Sequence, residues 1–296
     1  MKIVSSEYCR NMGLGNKLFS WARSRIFAKM HPEYTMLDAI WFSPHGGAIT
    51  RGGVDYKKAL QKILLFGNFV KKSEDMSLIR YWMLYRSVPK VECVWLKDAE
   101  NALTKGDVSG RDNHVVFLKK GVGAEGHDFS EFKGWSKFLK DQLLEISSPS
   151  ARKFIQEQTR SPFIGINVRC WNDFVSKGSS VIGFQKTDLG WFKSALAETR
   201  RRYGNLPAVI VSDGGPTQLA ELLKEQGTHL LNSKTAIADL MVLASSKVLL
   251  GSGNSSFSAW ASYLGEMDTF TSKETPFSHG RGLEYGRNGE KILELI

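Results

Sequence analysis

Cysteine is scarce in this chain: Cys9, Cys93 and Cys170 are the only three among 296 residues. Their odd number and wide spacing, with no C-x-x-C pair, exclude a disulfide framework and a cysteine-held zinc or redox centre. Reduced thiols in a cytoplasm are the expectation. Long apolar runs are missing as well. Stretches such as Val248 to Gly251 and Ile63 to Phe66 fall far short of the about 20 apolar residues that a membrane-spanning helix needs. The opening "MKIVSSEYC" lacks the apolar core of a secretory signal and reads instead as a first β-strand.

Several chemistries are excluded by missing patterns. No D-x-D occurs, so the carboxylate pair typical of metal-dependent sugar-nucleotide sites is lacking. The six histidines, at positions 31, 45, 114, 127, 229 and 279, show neither H-E-x-x-H nor H-x-x-x-H spacing. No metal is expected. There is no G-x-S-x-G elbow for a serine hydrolase. "NMGLGNKLF" at 11–19 is not a dinucleotide fingerprint, because Leu18 stands where the third glycine belongs, and it lacks the first glycine and the Ser/Thr of a P-loop.

What is present is the composition of a folded protein, 42% hydrophobic and 24% charged with both signs interspersed. At about 150 residues per domain the length suggests two modest domains. A formal net charge of +10 and a pI near 9.4 give a surface that attracts anions: nucleic acid, acidic lipid or a nucleotide substrate. The basic residues are scattered rather than gathered into an aromatic-interleaved patch, which argues against nucleic acid. Peripheral contact of this basic surface with a membrane is a further expectation. No sequence feature specifies an oligomeric state.

Short strand-like and helix-like pieces alternate through residues 1–150. Strands are expected at 2–5, 34–37, 91–96 and 114–118, and helices at 16–30, 74–86 and 130–145. Two Gly-bearing loops, at 45–53 and 119–128, suit a substrate-facing role. A polar stretch with a proline, "ISSPSARKF", reads as a linker, and the boundary is set near 147–161. From 151 to 296 the alternation is regular. Strands "FIGINVR", "AVIVSD", "THLL" and "KVLLG" are interleaved with helices at 188–203, 216–226, 235–246 and 254–264. That is the signature of a parallel sheet covered by helices.

In such sheets ligands sit beyond the carboxyl ends of strands, where helix N-termini present unpaired amides. The loops that follow the strands are therefore the candidates. In "NMGLGNK" the local reading is a strand-to-helix turn with Asn16 as N-cap. In "INVRCWND" the chain puts Arg169 at the end of an apolar strand, where its fork could grip two phosphate oxygens or form a structural ion pair. In "VIVSDGGP" Asp213 lines a ligand or merely organises the turn. Asp239, among Leu240, Met241 and Leu243, needs a partner: the two-donor edge of a guanine, or a Lys or Arg. Last comes "GSGNSSF", where an apolar run ends in small polar residues ahead of a helix.

Taken in order, these loops resemble those of the α-1,2-fucosyltransferases of glycosyltransferase family 11 and of the wider group of GDP-fucose-dependent transferases. Residues 12–22, "MGLGNKLFSWA", are similar to that family's "GGLGNQMFQYA". Asn167-Val168-Arg169-Cys170 lies where the family has H-x-R-R-G-D, and Ser212-Asp213-Gly214 where it has S-D-D. The segment 239–264, "DLMVLASSKVLLGSGNSSFSAWASYL", is the most specific match. The chain departs from the pattern at Asn167, in place of the histidine, and at Cys170, in place of the second arginine. The motif aspartate shifts by one position to Asp173, or is lost to Asn172.

The resemblance implies an α/β protein of GT-B type: two facing Rossmann-like domains, 1–150 on the acceptor side and 151–296 on the donor side, with the donor cleft between them. It implies an inverting, metal-independent transfer of L-fucose from GDP-fucose to a hydroxyl of a glycan acceptor, with no cofactor. Arg169 would hold the β-phosphate, and Asn254, Ser255, Ser256 and Phe257 would present a helix N-terminus to the same group. Asp239 would read the guanine, Asp213 and Asn167 would line the donor cleft, and Gly13, Gly15 and Asn16 would approach from the first domain. Asp173 and Glu7 are the candidates for general base. Rival readings are another nucleotide sugar or linkage on the same scaffold, a glycan- or GDP-binding relative without activity, and a basic surface for anionic lipid or nucleic acid.

Overall fold

A computed structural model describes residues 2–6, 13–37, 83, 86–105, 114–119, 128–170, 174–175, 184–233 and 235–275. Glu7, Asp173, the loop at 45–53, nearly all of 119–128 and most of the helix expected over 74–86 lie outside them. The chain divides into two compact units, Met1–Ser148 and Pro149–Ile296. Each is built on a parallel sheet.

In the first unit β1 (Lys2–Ser6) and β4 (His114–Leu118) lie in the middle, flanked by β2 (Thr35–Leu37) and β3 (Lys90–Cys93), in the order β2-β1-β4-β3. All three pairings are parallel. "HVVFL" is buried throughout, as expected of a strand covered on both faces. Helix α1 (Leu14–Met30) packs on β1 and β4. It begins two residues before the expected start, because Leu14 and Leu18 form a buried i, i+4 pair that extends the apolar face upstream. The cap is therefore Gly13 in extended conformation, and Asn16 lies inside the first turn, its N–H on Gly13 O at 3.1 Å. The expectation of Asn16 as N-cap is corrected accordingly.

Two further expectations change in this unit. The strand placed over 91–96 stops at Cys93, and Leu96 opens helix α2 (Leu96–Thr104), whose Leu96 N–H is taken by Glu131 Oε1 at 2.9 Å. The helix placed over 130–145 is a 3₁₀ turn at Ser130–Phe132 followed by α3 (Ser136–Ile146). Between them Gly134 has φ 79°, a left-handed conformation that no helix continues through.

The second unit opens with helix α4 (Pro149–Gln158), inside the stretch expected to be a linker. Pro149 stands at a helix start, where its missing N–H has no partner to lose. A five-stranded parallel sheet follows: β5 (Ile164–Val168), β8 (Ala208–Ser212), β9 (Thr228–Leu230), β10 (Val248–Gly251) and β11 (Asp268–Phe270). A two-stranded ribbon, β6 (Phe174–Val175) and β7 (Phe184–Gln185), lies between β5 and the next helix. The crossovers are α5 (Leu189–Tyr203), the short α6 (Ala220–Leu223), α7 (Ala236–Leu243) and α8 (Ser256–Gly265). α6 is much shorter than the 216–226 expected, because Gly214, Gly215 and Pro216 hold the chain in turns as far as Leu219.

The spatial order is β11-β10-β5-β8-β9. The chain winds outward from β5 through β8 and β9, then crosses back to lay β10 on the other side of β5. This is the 3-2-1-4-5 part of the 3-2-1-4-5-6 Rossmann order, and its switch point lies between the carboxyl ends of β5 and β10. Helix α7 is apolar apart from Asp239 and is buried, packed against α4, α8, β5 and β8. Gly165 permits its close approach, since a Cβ there would stand 2.7 Å from Ser246 Oγ.

Candidate functional site

Because the sheet is parallel and in register, with Gly251 beside Asn167 and Val168 beside Ser212, the loops after β5, β8 and β10 leave from one edge. Arg169 comes first after β5, Asp213 first after β8, and Ser252–Ser255 link β10 to α8. The sequence brings together, at the switch point, residues separated by more than eighty positions.

Arg169 Nη1 lies 2.6 Å from Asp213 Oδ2, with the two side chains 25% and 12% exposed. The other oxygen, Asp213 Oδ1, accepts the Cys170 backbone N–H at 2.7 Å. One carboxylate thus clamps both the guanidinium of residue 169 and the backbone of residue 170. Next to it, Ser212 Oγ donates to Val168 O at 2.7 Å and accepts the Gly214 N–H at 2.9 Å. The Cys170 thiol lies 3.6 Å from the same Ser212 Oγ. Burial pushes this thiol above its ordinary pKa, Asp213 adds to the rise, and the Ser212 contact, Lys186 and Arg169 oppose it. A protonated thiol supplies no charge. Position 170 is packed instead into the seam between the two loops, where a Cβ on Gly214 would stand 2.7 Å from its sulfur.

Across the switch point, Ser255 is the N-cap of α8 and accepts the Ser258 N–H at 3.3 Å. Asn254 precedes it with φ 58°, a left-handed conformation that asparagine tolerates better than most residues. Ser256 and Phe257 occupy the first turn, half-buried. This end of the helix carries a partial positive charge and unpaired amides. It is tied to β5 by hydroxyls: Ser252 Oγ accepts the Arg169 N–H at 3.0 Å, and Ser258 Oγ donates to Asn167 Oδ1 at 2.7 Å. Asn167 is itself buried, and its Nδ2 donates to Val211 O at 3.3 Å. Its side chain is thus a brace between β5, β8 and α8, pointing inward from the strand edge.

Asp239 lies buried in the first turn of α7, behind the N-cap Thr235, which accepts the Ala238 N–H at 3.3 Å. Ser233 Oγ donates to Asp239 Oδ1. The sequence alternatives for this carboxylate were a guanine edge or a Lys or Arg; a serine hydroxyl was not among them. Gly13, Gly15 and Asn16 stand at the start of α1 in the first unit, after β1. Ser233, Ser252 and Ser258 escaped the sequence reading. No sequence signal marks their hydroxyls, because serine bonds locally in almost any setting. Among the described residues, no group of three His, Cys, Asp or Glu is arranged to hold a metal ion, and no helix is long and apolar enough to cross a membrane.

A model of the family described as Glycosyl transferase family 11 matches residues 123–278, more than half of the chain. The chain belongs to that family. The match takes in Arg169, Asp213, Asp239 and the start of α8, and leaves Gly13, Gly15 and Asn16 outside. No curated protein matches this family member in sequence. Among solved structures it is similar to a mutant of Arabidopsis thaliana FUT1 in complex with GDP, at 12% identity over 93% of this chain and 71% of that one, with a TM-score of 0.49. It is similar also to POFUT1 in complex with GDP, at 13% identity over 90% and 95% of the two chains, TM-score 0.48. A third is NodZ α-1,6-fucosyltransferase co-crystallised with GDP, at 14% identity over 88% and 91%, TM-score 0.46; NodZ is from Bradyrhizobium. Each of the two units of this family 11 chain is an α/β unit built on a parallel sheet.

Proposed function

We propose that this protein is an inverting, metal-independent fucosyltransferase that moves L-fucose from GDP-fucose to a hydroxyl of a glycan acceptor in α-1,2 linkage. The observation that carries the reading is the position of Arg169. Arg169 stands at the carboxyl end of β5, its backbone N–H on Ser252 of the loop that leads into α8 and its guanidinium on Asp213, in a chain of a glycosyltransferase family. Such a place gathers a fixed cation and helix amides where a diphosphate can be held.

In the reaction the acceptor oxygen attacks C1 of the fucose as the bond from C1 to the diphosphate oxygen breaks, and GDP departs with the electron pair. The acceptor proton passes to a base, for which Asp173 and Glu7 remain the candidates. The negative charge that grows on the leaving phosphate is met by Arg169 and the first-turn amides of α8, already in place before reaction. The sugar passes through an oxocarbenium-like state, so most of the acceleration comes from positioning and from this charge stabilisation. Asp239 accepts from the guanine, oriented by Ser233. Gly13, Gly15 and Asn16 of the first unit are further donor-binding candidates. The protein works in the cytoplasm, with its basic surface able to rest on an anionic membrane.

The test is a panel of GDP- and UDP-sugars offered to the purified protein, with donor hydrolysis and transfer to β-galactosides followed together. GDP-fucose is expected to be preferred and the product to be an α-1,2-fucoside. Preference for a UDP-sugar would defeat the role given to Asp239. A second reading, a GDP- or glycan-binding protein without transfer, is favoured by one observation: Cys170 supplies no charge where the family has its second arginine. Tight GDP binding with no transfer to any acceptor would select it.

A further inference from the structure

The ion pair at the switch point poses an electrostatic problem. A carboxylate that simply lined a diphosphate site would repel its ligand, and Asp213 stands 2.6 Å from the cation proposed to grip that ligand. With an arginine at 169, a neutral thiol at 170 and an aspartate at 213, the three positions sum to no net charge.

The geometry points to Asp213 as a positioning residue for Arg169 rather than a contact to the donor, an inference that rests on the donor reading above. Its two oxygens divide the work. Oδ1 fixes the backbone at Cys170 and Oδ2 fixes the guanidinium one residue earlier. The carboxylate is in turn set by its own loop, where Gly214 N–H on Ser212 Oγ and Ser212 Oγ on Val168 O tie the β8 end back to β5. A guanidinium presents five N–H donors in a rigid fork. Held by a carboxylate on Nη1, it keeps a fixed orientation at the strand edge, and an arginine so held loses less freedom when it takes phosphate oxygens. Gly214 serves the same arrangement: a side chain there would strike Cys170 and push the two loops apart.

This assignment predicts a sign. If Asp213 acted on the ligand by its charge, Asp213→Asn would tighten GDP binding. Acting through Arg169, it must weaken it. The experiment is calorimetry of the full-length chain with GDP and with GMP, for the unsubstituted protein, Asp213→Asn, Arg169→Ala and the double variant. Asparagine keeps an acceptor for the Cys170 N–H, so the loops stay joined. A loss of roughly tenfold in GDP affinity is expected, with a smaller loss for GMP, and no further loss in the Arg169→Ala background. Equal losses for GDP and GMP would mean a damaged fold and overturn the assignment. So would tighter binding in Asp213→Asn, or a loss that persists in full without Arg169; both leave the donor reading standing. Failure of the unsubstituted protein to bind GDP would overturn the donor reading itself.

Discussion

Two arginine–carboxylate pairs, one in each unit, look alike in contact distance and differ in everything around them. Arg23, on α1, is wholly buried with Nε 2.7 Å from Glu131 Oε2. Its guanidinium lies over the rings of Trp95 and Phe132 and donates to Lys119 O, while Glu131 also takes the Leu96 N–H. These contacts pin α1 to the end of β4 and the start of α2. Arg169 stands at a strand end beside a helix N-terminus, a quarter exposed. The chemistry of the pair is the same; its place in the topology makes one a brace and, in the proposed function, the other a grip on the donor.

The comparison breaks if the two pairs respond alike. Glu131→Ala leaves a buried guanidinium without its carboxylate, and a loss of about 3–5 kcal/mol in denaturant stability is expected. GDP affinity per folded molecule should not change. Arg169→Ala should show the reverse, a turnover lowered by about 10²–10³-fold with a chain that melts within a few degrees of the unsubstituted protein. A stability loss in Arg169→Ala as large as that of Glu131→Ala would merge the two classes.

Smaller effects sharpen the contrast. Ser255→Ala removes the α8 cap and is expected to cost about 1 kcal/mol and to weaken GDP. The same change at Thr235, the α7 cap, should cost a similar amount, and its effect on GDP reports how near α7 lies to the ligand. At the surface, Glu198 is held down to about 2 by hydrogen bonds from Arg201 and Arg202. A depressed carboxylate contributes stability that is present above its unfolded pKa and lost as pH falls toward about 2. Melting curves through that acid range should flatten slightly in Glu198→Gln. Solvent screening makes this the weakest of the three ion pairs.

Most of the second unit was legible because β5 is a buried, largely apolar run and β8 and β10 are apolar runs that end in Ser and Gly. What was missed had weak patterns. Helix α4 buries only Ala151 and Ile155, so its charged sequence read as a linker; β11 is three residues long. Arg169 was readable as a charge in the wrong kind of strand. Its partner was not, since Asp213 follows another strand and only the parallel register brings the two together. The resemblance makes Asn167 a donor contact; the hydrogen bonds of its side chain to Val211 and Ser258 had no sign in the sequence. The hydroxyls of Ser233, Ser252 and Ser258 carry no pattern of their own, because serine bonds locally in almost any setting.

The most direct measurement is a crystal structure of the protein soaked with GDP. The account predicts the β-phosphate on Arg169 and on the first-turn amides of α8 at residues 255–257, with Asp213 still holding the guanidinium. A diphosphate bound elsewhere, with Arg169 and the α8 N-terminus untouched by it, would contradict it.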